Sequence, residues 1–254
     1  MRINHNINQN WLFTKNQCTV ETIHTAKFEI VHLPHTWNNL DGQDGGELYY
    51  RGLCWYKKNL VLTEDEKTKE IYIEFKGANH ICNVWINDHF LGEHKGGFST
   101  FRYNVTEFLK KDDTDELIVS VCNGQSQVYP QAADFTFDGG LYRDVNIIAV
   151  DKTHLSLDMY GSHGVFVTPK VIRGKDAHIR IDAFVTNLSG QTIITKIMDA
   201  DHNIVGEKSC ADAHTIVEFD CEDVHLWDGI NDPYQYIARV EVIEDEEIID
   251  VVEV

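Results

Sequence analysis

The residue whose type and position could do chemistry is Asp134, at the head of the stretch 134–145. It precedes a glycine pair, Gly139-Gly140, and glycine adopts backbone angles that other residues avoid. A segment rich in β-branched residues follows at 141–150, which is typical of a strand. A tight turn between a carboxylate and a strand can aim the carboxylate past the edge of a sheet. From the residues alone, an ordinary β-turn with a solvated aspartate is the simpler interpretation.

The elements that must position this aspartate are short strands. Eight segments before residue 155 alternate apolar and polar side chains or are β-branched, and turn residues separate them. One helical turn at 106–109, with Thr106 as its cap, is the main helical signal there. The polar stretch 123–138 is longer than ~12 residues, a length that is often functional. The pattern predicts a sandwich or jelly roll, with strands at 28–33, 49–62, 71–75, 82–86, 89–91, 98–105, 117–122 and 141–150.

A second set of short strands follows residue 164. Its spacing over about 100 residues is that of an immunoglobulin-like sandwich. We therefore predict an all-β protein with two domains, 1–155 and 156–254. Charge supports this division, because residues 156–254 carry 20 acidic and 7 basic side chains whereas 1–155 carry 21 and 15. Trp227 and Tyr234 are expected to pack in the core at the start of a strand. The strand segments are 165–171, 178–187, 192–199, 215–220, 234–242 and 248–254.

Composition narrows the class of protein further. The net charge of −19 disfavours binding to nucleic acid or anionic membranes. No apolar run approaches the ~20 residues that span a bilayer, and the polar N-terminus lacks a signal-peptide core, so we expect a cytoplasmic protein. The six cysteines are scattered singly and are expected to be reduced thiols. No histidine or cysteine spacing indicates a metal site, and we expect no cofactor in this chain.

Several motifs, taken in sequence order, resemble glycoside hydrolase family 2, which includes β-galactosidases, β-glucuronidases and β-mannosidases. The resemblance covers essentially the whole chain. It implies a jelly-roll (galactose-binding-like) sugar-binding domain followed by an immunoglobulin-like domain. The motifs are residues 33–38 (LPHTWN), 41–46 (DGQDGG), 50–52 (YRG) with Trp55-Tyr56, 84–87 (VWIN), 92–98 (a glycine, then GGF) and the stretch 134–145.

The resemblance also implies which parts of the enzyme are missing from these 254 residues. In family 2 both catalytic glutamates lie on a (β/α)₈ barrel that follows the immunoglobulin-like domain, and no Asn-Glu dipeptide occurs in this chain. We therefore expect no catalytic residue here and no turnover by this chain alone. The expected partners are a carbohydrate, most like a β-galactoside, the downstream barrel of the same polypeptide and a second copy in a homo-oligomer. The metal need of the complete enzyme stays open.

The substrate contacts that the resemblance implies centre on Asp134. In family β-galactosidases an aspartate of the first domain contacts the galactosyl hydroxyls, and Asp134 matches it by its place six residues before Gly140. Asn38, Asp41 and Asp44 are further substrate-binding candidates, because the loop after Trp37 approaches the site in relatives. Arg143 and Asp144 are expected to form an ion pair or brace a turn. Asp138 departs from the aromatic residue that relatives often carry nearby, which changes the packing of the loop.

Two other classes of function remain open at this point. The chain could be a free-standing carbohydrate-binding module, or a structural interaction domain without a hydrolase partner. The strand pattern that continues to the last residues, 248–254, argues against the first of these. The coding sequence downstream would separate the three interpretations.

Overall fold

The computed structural model describes residues 1–41, 49–110, 114–124, 128 and 137–254. By its internal contacts the chain divides into two units: Ile3–Ala149, and Val150–Val254 together with Met1–Arg2. Strands dominate both units, so the predicted all-β class is confirmed. The position of the boundary after residue 155 stays a prediction.

The unit Ile3–Ala149 is built from two sheets. Among the described residues, the larger has the strand order β3-β2-β4-β9-β6-β7 and the smaller has β1-β10-β5-β8. The predicted jelly-roll sandwich is confirmed. The strands are β1 (Ile3–Asn6), β2 (Trp11–Thr14), β3 (Glu29–Val31), β4 (Leu53–Leu60), β5 (Glu70–Phe75), β6 (Ile81–Ile86), β7 (His89–Lys95), β8 (Phe101–Asn104), β9 (Asp115–Cys122) and β10 (Val145–Val150).

Apolar side chains on the inner faces of these sheets form one core. Trp11, Phe13, Tyr56, Ile73 and Phe75 are at most 1% exposed within it. In the centre of the larger sheet β4 pairs antiparallel with β9 along its whole length, from Leu53 opposite Cys122 to Leu60 opposite Asp115. This continuous pairing places the start of β4 and the end of β9 at the same edge of the sandwich, where the polar loops lie.

Three short helical segments and a hairpin complete this unit, and the first segment is a 3₁₀ turn at Ile23–Thr25. The helix α1 (Glu64–Lys67) begins with a capping box between Thr63 and Glu66. The predicted turn after β8 is a 3₁₀ segment, Thr106–Phe108, but the cap assignment was wrong: Val105 is its N-cap, and the Thr106 hydroxyl instead accepts the Ile71 N–H and donates to the Asn104 side chain. The predicted hairpin at Asn87-Asp88 is present, and both residues have left-handed backbone angles.

The unit Val150–Val254 is a second sandwich, and the predicted immunoglobulin-like architecture is confirmed. One sheet has the order β11-β13-β12 with β16 also on β13, and the other has β15-β14-β17-β18. The edge strand β15 was not predicted, because its apolar residues Ile204 and Val205 are adjacent and exposed rather than alternating. The strands are β11 (His154–Leu155), β12 (Val165–Arg173), β13 (Asp176–Thr186), β14 (Thr192–Met198), β15 (Ile204–Cys210), β16 (His214–Cys221), β17 (Ile237–Glu244) and β18 (Glu247–Glu253).

The prediction that Trp227 packs in this core is wrong. Its side chain is 66% exposed. It lies immediately before a tight turn in which the Asp228 N–H donates to the Asp232 carbonyl at 2.8 Å, and this turn lies outside both sheets. Tyr234 is half-buried and stacks on the His225 ring at a centroid distance of 4.0 Å.

All six cysteines are free thiols, and Cys54 and Cys82 are buried among core side chains. In the described part of the chain, no helix has the length and apolar character required to cross a bilayer.

Candidate functional site

Four chain segments meet at the polar edge of the unit Ile3–Ala149. They are the loop that follows β3, the residues before β4, the residues after β9 and the glycine pair before β10. Each contributes a side chain or backbone group to one hydrogen-bond network. At its centre is Asn38, which is 3% exposed.

The Asn38 amide connects all four of these segments. Its Oδ1 accepts hydrogen bonds from the Gly139 N–H at 2.7 Å and from Asn123 Nδ2 at 3.2 Å. Its Nδ2 donates to Asp41 Oδ2 at 2.6 Å and to the Tyr50 carbonyl at 3.0 Å. Two donors and two acceptor positions of the amide are thus used within the protein. Asn38 positions the loops in this structure.

Asp41 closes the loop that begins at Asn38. Besides the Asn38 amide, its Oδ2 accepts the Tyr50 N–H at 2.8 Å. Partial burial works against ionisation of this carboxyl, but the hydrogen bonds from Tyr50 and Asn38 and the charge of Lys15 outweigh it and lower its pKa. Asp41 is therefore an anion at neutral pH, held where β4 begins.

Asn123 repeats this arrangement after β9. Its Oδ1 accepts the Gly52 N–H at 2.9 Å, and its Nδ2 donates to the Tyr50 carbonyl at 3.1 Å as well as to Asn38. The residues on both sides of the polar stretch 125–136 are therefore anchored to the same amide, since Asn123 and Gly139 both bind Asn38.

The glycine pair packs against residues 35–37, which we call the cradle and which leave no room for a side chain at 139 or 140. A Cβ on Gly139 would lie 2.2 Å from Trp37 Cζ2, and one on Gly140 would lie 2.6 Å from the His35 carbonyl. Gly140 also has φ +127°, in the region that favours glycine. The predicted tight turn is not present: Gly140 instead forms an antiparallel bridge with Asn79, through two backbone hydrogen bonds of 3.0 and 3.2 Å. Close contact with residues 35–37 is the reason that glycine is required at both positions.

His35 and Tyr56 hold the backbone of Leu141, the residue that follows the glycine pair. The His35 N–H donates to the Leu141 carbonyl, and its Nδ1 lies 2.8 Å from the Tyr56 hydroxyl. Burial, with a smaller contribution from Lys15, lowers the pKa of His35 to about 4, so the ring is neutral at physiological pH. A neutral ring can accept the Tyr56 hydroxyl proton, and Tyr56 in turn accepts the Leu141 N–H at 3.4 Å.

Asp138, directly before the glycine pair, is held by two hydrogen bonds. Its Oδ1 accepts the Tyr49 hydroxyl at 3.1 Å, and its carbonyl accepts Asn79 Nδ2 at 2.6 Å. Partial burial and the Asp138 charge raise the pKa of Tyr49, which keeps it a protonated donor. The carboxylate at 138 is thus accommodated by a tyrosine partner.

The structure brings two of the four predicted substrate-binding residues together, Asn38 and Asp41. Asp44 and Asp134 lie outside the described residues. Arg143 and Asp144 brace the chain through separate partners rather than through an ion pair with each other. Arg143 donates to the Lys76 and Phe98 carbonyls, and Asp144 accepts from Asn8. The substrate contacts of all four candidates stay predictions.

Sequence reasoning missed Asn123, Tyr49 and Asn79. For Asn123 a signal existed, because an asparagine directly after a buried strand often satisfies backbone groups where the sheet ends. Tyr49 and Asn79 carry no comparable local pattern, since their partner Asp138 is distant in sequence.

The network has the chemistry of binding and positioning. Its side chains are carboxylates, amides and a tyrosine hydroxyl, which hydrogen-bond to each other and to the backbone of the loops. Among the described residues, no group of three or more His, Cys, Asp or Glu side chains is arranged to hold a metal ion.

Comparison with known proteins matches both units to one protein family. The description "Glycosyl hydrolases family 2, sugar binding domain" matches residues 5–151, and "Glycosyl hydrolases family 2" matches residues 162–254. A β-glucuronidase of Bacteroides fragilis is 31% identical over 96% of this chain, and a β-galactosidase of Thermoanaerobacter pseudethanolicus is 28% identical over 96%.

A solved β-glucuronidase structure from Bacteroides uniformis superposes on the whole chain with a TM-score of 0.89 and 28% identity. The chain corresponds to only 32% of that protein, and to 36% and 34% of the two relatives named above. These 254 residues therefore span about a third of the length of the proteins that they match.

Proposed function

Because the chain belongs to glycosyl hydrolase family 2, we propose that it is the non-catalytic N-terminal part of an enzyme that hydrolyses terminal β-glycosides. In that enzyme it contributes carbohydrate contacts and supports a catalytic TIM barrel that follows in the same polypeptide. The length of the relatives, about three times that of this chain, supports a further domain.

The observation that carries the proposal is the position of Asn38 between the two ends of the stretch 125–136. Hydrogen bonds to Gly139 and Asn123 fix both anchors of that stretch on one buried amide. Such anchoring costs conformational entropy and is useful where a loop must present a group to a ligand. We propose that Asp134 is that group, with Asp41 and Asp44 on the neighbouring loop.

The substrate we propose is a neutral β-galactoside. An aspartate facing the glycone accepts hydrogen bonds from two sugar hydroxyls, but it repels the carboxylate of a glucuronide. Relatives of both kinds match this chain, so the broader class supported by similarity is a β-galactosidase or β-glucuronidase.

The test is hydrolysis of aryl β-galactoside and aryl β-glucuronide by the full-length enzyme and by residues 1–254 alone. We expect turnover of the galactoside by the full-length enzyme only. Asp134→Ala should reduce kcat/KM about 10- to 100-fold, the cost of losing a charge-assisted hydrogen bond. Asp65→Ala, an exposed position on α1, is the matched control and should leave kcat/KM unchanged. Equal effects of the two variants would refute the assignment of Asp134, and turnover of glucuronide alone would refute the substrate.

We also propose a cytoplasmic location for the enzyme. The support is the free state of all six cysteines, which suits a reducing compartment. Fractionation of the source cells with an antibody against residues 1–254 would test it, and a periplasmic or secreted signal would contradict it.

A further inference from the structure

Three apolar side chains of the unit Val150–Val254 lie on or directly before one turn, and we call them the Trp227 surface. Leu226 is 40% exposed, Trp227 is 66% exposed and Ile230 is 98% exposed. Backbone hydrogen bonds between Asp228 and Asp232 close the turn and hold these side chains outward. A cluster that includes an exposed tryptophan is typical of a protein docking site.

An apolar cleft lies beside the Trp227 surface. Leu226 and Trp227 line its first cavity, of about 310 Å³. A second cavity of about 380 Å³ shares lining residues Pro169, Ile179, Ile197 and Tyr236 with the first, so the two form one cleft. Carbon atoms dominate the walls of both cavities, which suits apolar side chains as occupants rather than ions.

Val254 lines the second cavity. It is fixed there, because its N–H donates to the Ala238 carbonyl at 2.9 Å and its carbonyl accepts the Ala238 N–H at 2.9 Å. A residue that follows Val254 in a longer polypeptide therefore leaves this unit beside the second cavity, which shares four lining residues with the cavity that Leu226 and Trp227 line.

Charge argues against a second copy of this chain as the occupant. Residues 156–254 carry 20 acidic and 7 basic side chains, so two such units repel each other. A segment of the same polypeptide is held at high effective concentration and docks despite a modest contact area. The matched relatives have about two thirds of their length outside the part that this chain covers.

We propose that the Trp227 surface and its cleft seat apolar side chains from the polypeptide that follows Val254 in the full-length enzyme. This inference rests on the proposed function for the existence of that downstream part. In this proposal residues 226–230 are the docking anchor. That role explains why their apolar side chains are exposed here.

Hydrogen exchange of residues 1–254 and of the full-length enzyme tests the proposal. We expect amides in 224–232 to exchange about 10-fold or more slowly in the full-length enzyme. Ile230→Ser in the full-length enzyme should remove most of the protection of the neighbouring strand β12. Ile204→Ser is the matched control, since Ile204 is also an exposed isoleucine of this unit, at 55%, but lies on the edge strand β15.

Equal exchange in the two proteins, or loss of protection with Ile204→Ser alone, would overturn the proposal. Protection that depends on protein concentration and accompanies a dimer mass would also overturn it, in favour of a second copy. Glycoside hydrolysis is measured on the same samples. Turnover without protection refutes the docking alone, whereas protection without turnover refutes the proposed function alone.

Discussion

Asn38 Oδ1 accepts the backbone N–H of Gly139 at 2.7 Å, across 101 residues of chain. The bond is buried, and the same oxygen binds Asn123. One side chain thus sets the separation of two loops that the sequence places far apart. Its loss should therefore lower the stability of the unit.

Asn38→Ala should lower the free energy of unfolding of residues 1–254 by about 2–4 kcal/mol. The reason is that truncation leaves the buried Gly139 N–H without its partner and removes one of the two donors to the Tyr50 carbonyl. Urea denaturation followed by tryptophan fluorescence measures the change. Asn59→Ala on the exposed face of β4 is the control and should cost less than about 0.5 kcal/mol. A loss from Asn38→Ala as small as that of the control would contradict the bracing role.

Gly140→Ala should destabilise the chain more than Gly190→Ala. Both glycines have positive φ, +127° and +92°, so a Cβ is strained at either position. Only Gly140 adds a clash, because its Cβ would lie 2.6 Å from the His35 carbonyl, whereas nothing lies within 4 Å at Gly190. We expect a cost of about 1–2 kcal/mol at Gly190 and at least about 1 kcal/mol more at Gly140. Equal midpoints in urea would show that the cradle relaxes freely.

Thr195→Val should stabilise the unit Val150–Val254 by about 1 kcal/mol. Thr195 is fully buried in that core, and its hydroxyl has no hydrogen-bond partner among the described residues. Valine has nearly the same shape and removes the polar atom that burial penalises. Thr192→Val, at the exposed start of the same strand, provides the comparison. A decrease in stability with Thr195→Val would mean that the hydroxyl does have a partner in solution.

Much of the fold followed from strand periodicity. The alternation in β13 and β16 and the Asn87-Asp88 turn are local signals, and they placed elements within a few residues of their observed bounds. The strand β1 (Ile3–Asn6) carries no strand signal, because three of its four residues are polar and exposed. Pairing with β10, rather than its own pattern, makes it a strand.

The candidate site was less predictable for a physical reason. A glycine pair at 139 and 140 predicts a tight turn, but the folded chain has a bridge to Asn79 there, and contact with Trp37 and His35 is what requires glycine. Asn38 is a substrate-binding candidate from family resemblance, and that role stays a prediction; the structure adds that its amide joins four segments of its own protein. Local sequence cannot distinguish a polar residue that binds a ligand from one that binds distant backbone. Trp227 shows the reverse case, since a tryptophan near a strand predicts burial on average and here is exposed.

The stability of the chain should fall as pH decreases from about 6.5 to about 4, partly because of His35. Burial, with Lys15 nearby, lowers the pKa of His35 to about 4 in the folded protein, whereas the unfolded chain binds a proton near the ordinary value of 6.5. Within this window the unfolded state holds more protons, so acid favours it, and above about pH 6.5 the contribution is constant. The full shift overstates the effect for a side chain with partial solvent access, and we expect about 1–2 kcal/mol.

Urea denaturation at pH 7, 6, 5 and 4.5 should therefore show a shallower pH dependence in His35→Gln, which can still accept the Tyr56 hydroxyl. His89→Gln, at an exposed histidine, should keep the slope of the unmodified chain. If His35→Gln also keeps that slope, then His35 is protonated in the folded protein and the cradle beneath Leu141 does not depend on a neutral ring.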